Sequence, residues 1–200
     1  MSFAALRGIP SLATVSLVIA LVNVQWSSDA SLRARSKTDN SKASVLAFRA
    51  VQSVLMSPRC LNCHIPGEGP LQGDDNHPHA MNVKRGADGA GSAALHCFAC
   101  HQTENSSFVH GPPGAANWRL PPQKTPMAWK GLTAGELCRA LKDRDRNGNR
   151  SLEDLVSHMD TSLVRWAWNP GPGRTVPPLS HEEFVARMKE WIKTGAACPE

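Results

Sequence analysis

Apolar positions recur at helical spacing along several stretches of the chain and nowhere alternate in the manner of a strand. Residues 44–56, SVLAFRAVQSVLM, align Val45, Phe48, Val51, Val54 and Leu55 on one stripe, and Pro58 stops that helix just ahead of a cysteine motif. Thr133 with Glu136 forms a capping box that opens a helix through about Lys142, with Leu137 and Leu141 inward. Ser151 with Asp154 starts another, carrying Leu152, Leu155, Val156 and Met159. Ser180 with Glu183 opens the last, whose stripe is Phe184, Met188, Trp191 and Ile192 and whose end is marked by Gly195. Residues 64–91 and 102–130 are dense in Gly, Pro, Asp and Asn and read as loop, with a short helical piece, SAALHCFACH, between them. The predicted fold class is mainly α with extensive irregular loops, one domain over residues 44–200. Its regular core is too small for its loop content, so another component is expected to fill the middle.

The start of the chain changes the compartment expected for this domain. Arg7 precedes an uncharged run over residues 9–24, and Ser28 and Ala30 offer small residues for a cut after residue 30. Residues 1–30 therefore read as a secretory signal peptide, with an uncleaved anchor as the alternative, because the run is short for a membrane span of about 20 residues. Residues 31–43 read as a polar, mobile lead-in. The expected location is the periplasm, with a membrane as partner only if the first segment is retained. The net charge of +5 comes from scattered Lys and Arg with no dense basic run, which argues against nucleic acid as a partner.

Cys60-Leu-Asn-Cys63-His64 and Cys97-Phe-Ala-Cys100-His101 carry the chemistry. Two thiols three residues apart on one turn reach the two vinyl groups of a single haem, and the following His ligates its iron. The four cysteines are thus the expected thioether attachments of two covalently bound haem c groups, with His64 and His101 as proximal ligands. A zinc site would not need His after each second Cys, and a thioredoxin-like dithiol would need a strand–helix setting that this sequence lacks. The close spacing of the motifs places both haems in one compact unit. Trp118, Trp129, Trp166, Trp168 and Trp191 are candidate packing surfaces for them. His79 and His158 are the favoured distal ligands, with His77 and Met127 as alternatives; His181, at a helix start, is expected to cap or to face solvent. Cys138 and Cys198 remain, and in an oxidising compartment they are expected to pair. Residues 143–154 match much of a calcium-binding loop, with Asp143, Asp145, Asn147, Gly148 and Ser151 in ligand-bearing or turn positions. Asp154 replaces the bidentate Glu, and Arg144, Arg146 and Arg150 oppose a cation, so a polar turn is the favoured reading.

Longer strings add a resemblance. PLQGDDNHPHAMNVKRGADG, PMAWKGL, GELCRALKD, NGNRSLEDLVSHM, WAWNPGPGR, SHEEFV and GAACP, together with both motifs, make residues 55–199 similar to a family of small bacterial di-haem cytochromes known as isoquinoline 1-oxidoreductase subunits. The resemblance implies an electron-transfer subunit serving a molybdenum-containing hydroxylase. Sequence and resemblance together predict a relay between redox proteins, from an oxidoreductase donor to a cytochrome or oxidase acceptor. The alternative is a small haem enzyme of peroxidase or nitrogen-oxide reductase type with one open iron position, for which Arg85 and Arg119 are the available distal groups.

Overall fold

The computed structural model describes the backbone of residues 13–200 and the side chains of residues 31–200. The expected export segment, residues 1–30, lies outside the fully described residues. Helix α1 runs unbroken from Ala13 to Leu55. The lead-in over residues 31–43 is therefore helical rather than irregular, with the side chains of residues 31–42 exposed. The cause is local: this stretch has no Gly or Pro and several good helix formers, so the helix nucleated by the packed stripe at 44–55 propagates back through it. No helix among the described residues is long and apolar enough to cross a membrane.

Residues Ser41–Glu200 form a compact unit. After α1, Pro58 opens a single-turn helix, α2 (Pro58–Leu61), at the position where its missing N–H costs nothing. It thus begins an element as well as closing the previous one. The loop that follows holds two short antiparallel pairs that the sequence did not disclose. Leu71–Gln72 (β1) pairs with His77–Pro78 (β2), and Gly91–Ser92 (β3) with Leu95–His96 (β4). Each strand is two residues long, too short to show alternation. The segment expected to be a short helix is instead β4 followed by a 3-10 turn, Cys97–Ala99, because Cys97 N–H is drawn 2.9 Å to the Ala90 carbonyl across the hairpin. Helices α3 (Ala134–Lys142), α4 (Leu152–His158), α5 (Ser162–Arg165) and α6 (His181–Lys193) follow. All three predicted caps form, each with the side chain and backbone of both partners engaged: Thr133 with Glu136, Ser151 with Asp154, and Ser180 with Glu183.

The core is where these helices meet. Phe48, Val51, Val54 and Leu55 of α1 are buried with Leu137 and Leu141 of α3, Leu155 of α4, and Phe184, Met188 and Trp191 of α6. Val45 is only half-buried, and Ala47 takes the inward place. Phe48 packs against Trp191 with ring centroids 5.1 Å apart. That pair adds about 0.5–1.5 kcal/mol to the burial of either ring. Trp191 is thereby a helix-packing residue and not one of the cavity-facing tryptophans expected from the sequence. Ser44, fully buried, donates to the Trp191 carbonyl at 2.9 Å and accepts from Ala197 N–H at 2.9 Å, so α1 is tied to the chain after α6. His181 is buried as well, not at the surface. Its Nε2 bonds to the Met159 carbonyl at 2.9 Å, and Trp168 meets its ring edge-on.

Cys138 and Cys198 are joined by a disulfide across a sequence separation of 60 residues. Closing a loop of that length restricts the unfolded chain by about 3–5 kcal/mol. Replacing both with Ala should lower the urea-unfolding free energy by roughly that amount; a loss below about 1 kcal/mol would show that the bond constrains little.

Candidate functional site

The first cysteine motif sits on α2 and the turn after it. Cys63 and His64 both return their N–H groups to the Cys60 carbonyl, at 3.2 and 3.1 Å, so both thiols and the imidazole leave one turn of backbone. The His64 ring is held twice. Its Nδ1 lies 2.9 Å from the Met127 carbonyl, and its face stacks on Trp129 at 3.5 Å with an interplanar angle of 1°. A carbonyl only accepts, so Nδ1 carries the proton and Nε2 presents a lone pair. Burial pushes the His64 imidazole down to about 4, which keeps it neutral near pH 7, the form that binds a metal. Burial also pushes the Cys60 thiol up to about 11 and Cys63 up to about 12. These are protonated thiols, unlike the depressed thiolates of a redox dithiol.

This motif opens into a cavity of about 1150 Å³. Ordinary small-molecule pockets span about 300–1,000 Å³. Cys60, Cys63 and His64 line one part of it, Trp118, Trp129, Trp166 and Trp168 supply aromatic wall, and His158 enters from the end of α4. His158 is half-buried, held neutral first by desolvation and then by Arg150, and is close enough to His64 for a charge on one to disfavour a charge on the other. Two neutral imidazoles thus border one large space.

The second motif is built by backbone. Leu120 N–H bonds to the Gly89 carbonyl at 2.9 Å, and Gly89 has φ +86°; a Cβ there would lie 2.0 Å from the Leu120 oxygen. Only glycine permits this approach. It brings Trp118 beside the motif, where it stacks on His101 at 4.5 Å and 6°. His101 Nδ1 donates to the Pro113 carbonyl at 2.7 Å, so this ring too presents Nε2. Burial shifts its pKa downward. The half-buried His79 turns Nδ1 to the Ala80 carbonyl at 2.7 Å, and its ring centroid is 6.0 Å from that of His101. This second site is open: Cys100 is exposed, Cys97 half-buried, and the neighbouring Phe98 and Met81 are 65% and 73% exposed. Trp118 contacts both sites, since it stacks on His101 and also lines the cavity, where its ring meets Trp166 at 4.8 Å.

Other expected residues fall elsewhere. His77 is exposed, with Nδ1 on Asp75 at 2.6 Å and Nε2 on Gln72 at 2.9 Å, so both its nitrogens are engaged. Met127 lines the cavity, but its backbone carbonyl stands behind His64 on the Nδ1 side, opposite Nε2. Its φ of 45° turns the loop so that this carbonyl can reach. Nothing in the sequence marked that backbone role. Arg85 is 1% exposed and donates to the carbonyls of Pro121, Ile65 and Gly67, at 2.6, 3.0 and 3.0 Å. It braces the loop rather than facing a substrate. Arg119 lies at the cavity wall.

The calcium-like loop is a hydrogen-bonded turn. Asn147, 2% exposed, donates to the carbonyls of Leu141 (2.7 Å) and Arg150 (3.0 Å), and its Oδ1 accepts from Arg150 N–H at 2.8 Å. Asp143 accepts from Asp145 N–H, and Asp154 caps α4. Among the described residues no cluster of three or more His, Cys, Asp or Glu is arranged to hold a metal ion. The chain matches no protein-family model, no curated protein and no solved structure.

Asn147→Ala should destabilise the protein by about 1–3 kcal/mol, because it strands two buried carbonyls and an N–H. Asp145→Ala, at an exposed position, should change the urea midpoint little; equal effects would refute the inward role given to Asn147.

Proposed function

We propose that the chain carries two covalently attached haem c groups and relays electrons between redox proteins. The observation that carries the reading is the matched treatment of His64 and His101. Each follows a Cys-x-x-Cys pair, lies flat on a tryptophan and gives Nδ1 to a backbone carbonyl, leaving Nε2 for a metal. The residues fit the group. The cavity at the first motif has the volume and the aromatic walls for a large planar ring, and the second motif offers exposed apolar side chains that such a ring would cover.

When bound, haem supplies reversible one-electron chemistry at iron. The chain's own residues do the rest. Cys60 and Cys63, and Cys97 and Cys100, anchor the two rings as thioethers. His64 and His101 serve as proximal ligands. His79, whose ring lies 6.0 Å from that of His101, would be the second imidazole for the second motif, and His158, which shares the cavity with His64, the second for the first. Two imidazoles on each iron would leave no open position, which favours a carrier over a peroxidase or nitrogen-oxide reductase. Trp118, which stacks on His101 and lines the cavity, is the side chain shared by the two sites. The open second motif is the surface at which a partner is met. The partners implied are an oxidoreductase donor, of molybdenum-hydroxylase type by the resemblance noted above, and a cytochrome or oxidase acceptor. The N-terminal sequence pattern supports the periplasm as the location of this exchange.

Expression in a haem c-maturing host should give two haems per chain by pyridine haemochrome assay, and one in Cys97→Ser/Cys100→Ser. The oxidised protein should show two low-spin irons with bis-histidine EPR and near-infrared MCD signatures. His79→Ala and His158→Ala should each convert a different one of them to high spin. A mature chain with no covalent haem sinks the reading, and a sulfur-to-iron charge-transfer band would move the first site's ligand to Met127.

A further inference from the structure

The cavity beside the first motif is apolar and aromatic over much of its wall but not over the part formed by residues 119–124 and 144–150. There Arg119, Lys124, Arg144, Arg146 and Arg150 line it, against Asp145 and Asp160. Asp160 is already engaged by Arg165 at 3.2 Å. None of those five cations takes part in an ion pair among the described residues, although Asp154 lies near Arg144 and Arg150 and Glu136 near Arg146, each of these carboxylates being bonded into the cap of its own helix. The remaining charged lining residue, Arg59, is paired with Asp74, and the titratable imidazoles facing the space are His64 and His158. Cations outnumber acids in this lining, and such an excess of positive charge favours an anion in the space. The loop that bears three of the arginines is not slack: Asn147 pins it from inside, so it presents them from a fixed backbone.

From this geometry we infer that the loop at residues 143–150 is a carboxylate clamp, in which Arg144, Arg146 and Arg150 bind the two propionate groups of the haem in the cavity. The inference rests on the haem reading above and deepens it. The calcium-like pattern then has a use of opposite sign. Its acidic and amide side chains shape the turn, as Asp143 and Asn147 do, and its arginines line the cavity, with Arg150 Nη1 also donating to the Asn147 carbonyl at 3.4 Å. Guanidinium suits this task because its planar fork pairs with a carboxylate through two parallel N–H donors.

A clamp of this kind holds the carboxylates ionised. A carboxylate in an apolar cavity without a cation beside it is pushed up from its ordinary range near 4 towards neutrality. Protonation of a propionate favours the reduced iron, so the midpoint potential would rise as pH falls. The test is potentiometry from pH 5 to 8 on the mature two-haem protein, its Arg144→Gln/Arg146→Gln and Arg150→Gln variants, and Arg187→Gln on α6 as a control. Arg144 and Arg146 are exposed, so their loss should leave folding intact. The wild type and the control should hold both potentials flat. In the clamp variants one potential, and only one, should acquire a slope approaching ~59 mV per pH unit, the one-electron value for a tenfold change. Restoration of the flat profile by Arg150→Lys would point to charge, and failure to restore it to the bidentate fork; either supports the clamp. Flat profiles in every variant, or the same slope in Arg187→Gln, overturn the clamp while leaving a two-haem carrier in place. A chain without haem overturns the carrier reading instead.

Discussion

Backbone that is buried outside helices and sheets must still find hydrogen bonds, and in this protein buried guanidinium and amide groups supply many of them. Arg85 satisfies three carbonyls from two distant stretches of loop, and Arg174 reaches those of Gly111 and Pro170. Arg59 holds the Gly73 carbonyl while paired with Asp74, and Asn147 closes the turn before α4. Burial of these cations is unfavourable, as the downward shifts of Arg59, Arg85 and Arg174 by desolvation register. Each is retained because its hydrogen bonds offset that desolvation and because loop geometry would be lost without it. Replacing such a residue removes a brace and leaves its carbonyls stranded.

The same constraint positions the candidate site. Three carbonyls, of Met127, Pro113 and Ala80, each fix the Nδ1 of an imidazole, the first two from irregular chain and the third from the start of a 3-10 turn. Loop backbone thereby orients the rings, and the tryptophans at 129 and 118 keep two of them flat. This division explains how so much loop can serve a site that needs defined geometry. Preorganisation comes from bonds to the loops rather than from regular elements.

The helices act as the platform. α1, α3, α4 and α6 share one core, the disulfide joins α3 to the chain after α6, and Ser44 joins α1 to the same stretch. α4 ends at His158, so the packing of Leu155 and Met159 against the core sets how far that imidazole stands from His64. The loop between α3 and α4 is short and anchored at both ends. That is why it can offer arginines to the cavity from a constant position.

The sequence by itself determined the helices whose apolar stripes and caps are local: the stripe at 44–55, the three capping boxes and the pairing of the two leftover cysteines. Those signals are complete within a few residues, or, for the cysteines, follow by elimination. It also displayed both Cys-x-x-Cys-His motifs, because their spacing is itself the chemistry. It did not show the helical continuation through residues 31–43, the two-residue strand pairs or the burial of Trp191 and His181, since each depends on what the rest of the chain packs against. Above all, tertiary structure alone decided which histidines stand opposite one another. His77 and His79 are two residues apart and chemically identical, yet Asp75 and Gln72 occupy both nitrogens of the first, while the Ala80 carbonyl leaves the second facing His101. The difference lies in hydrogen bonds to backbone brought in by folding, which no residue type announces.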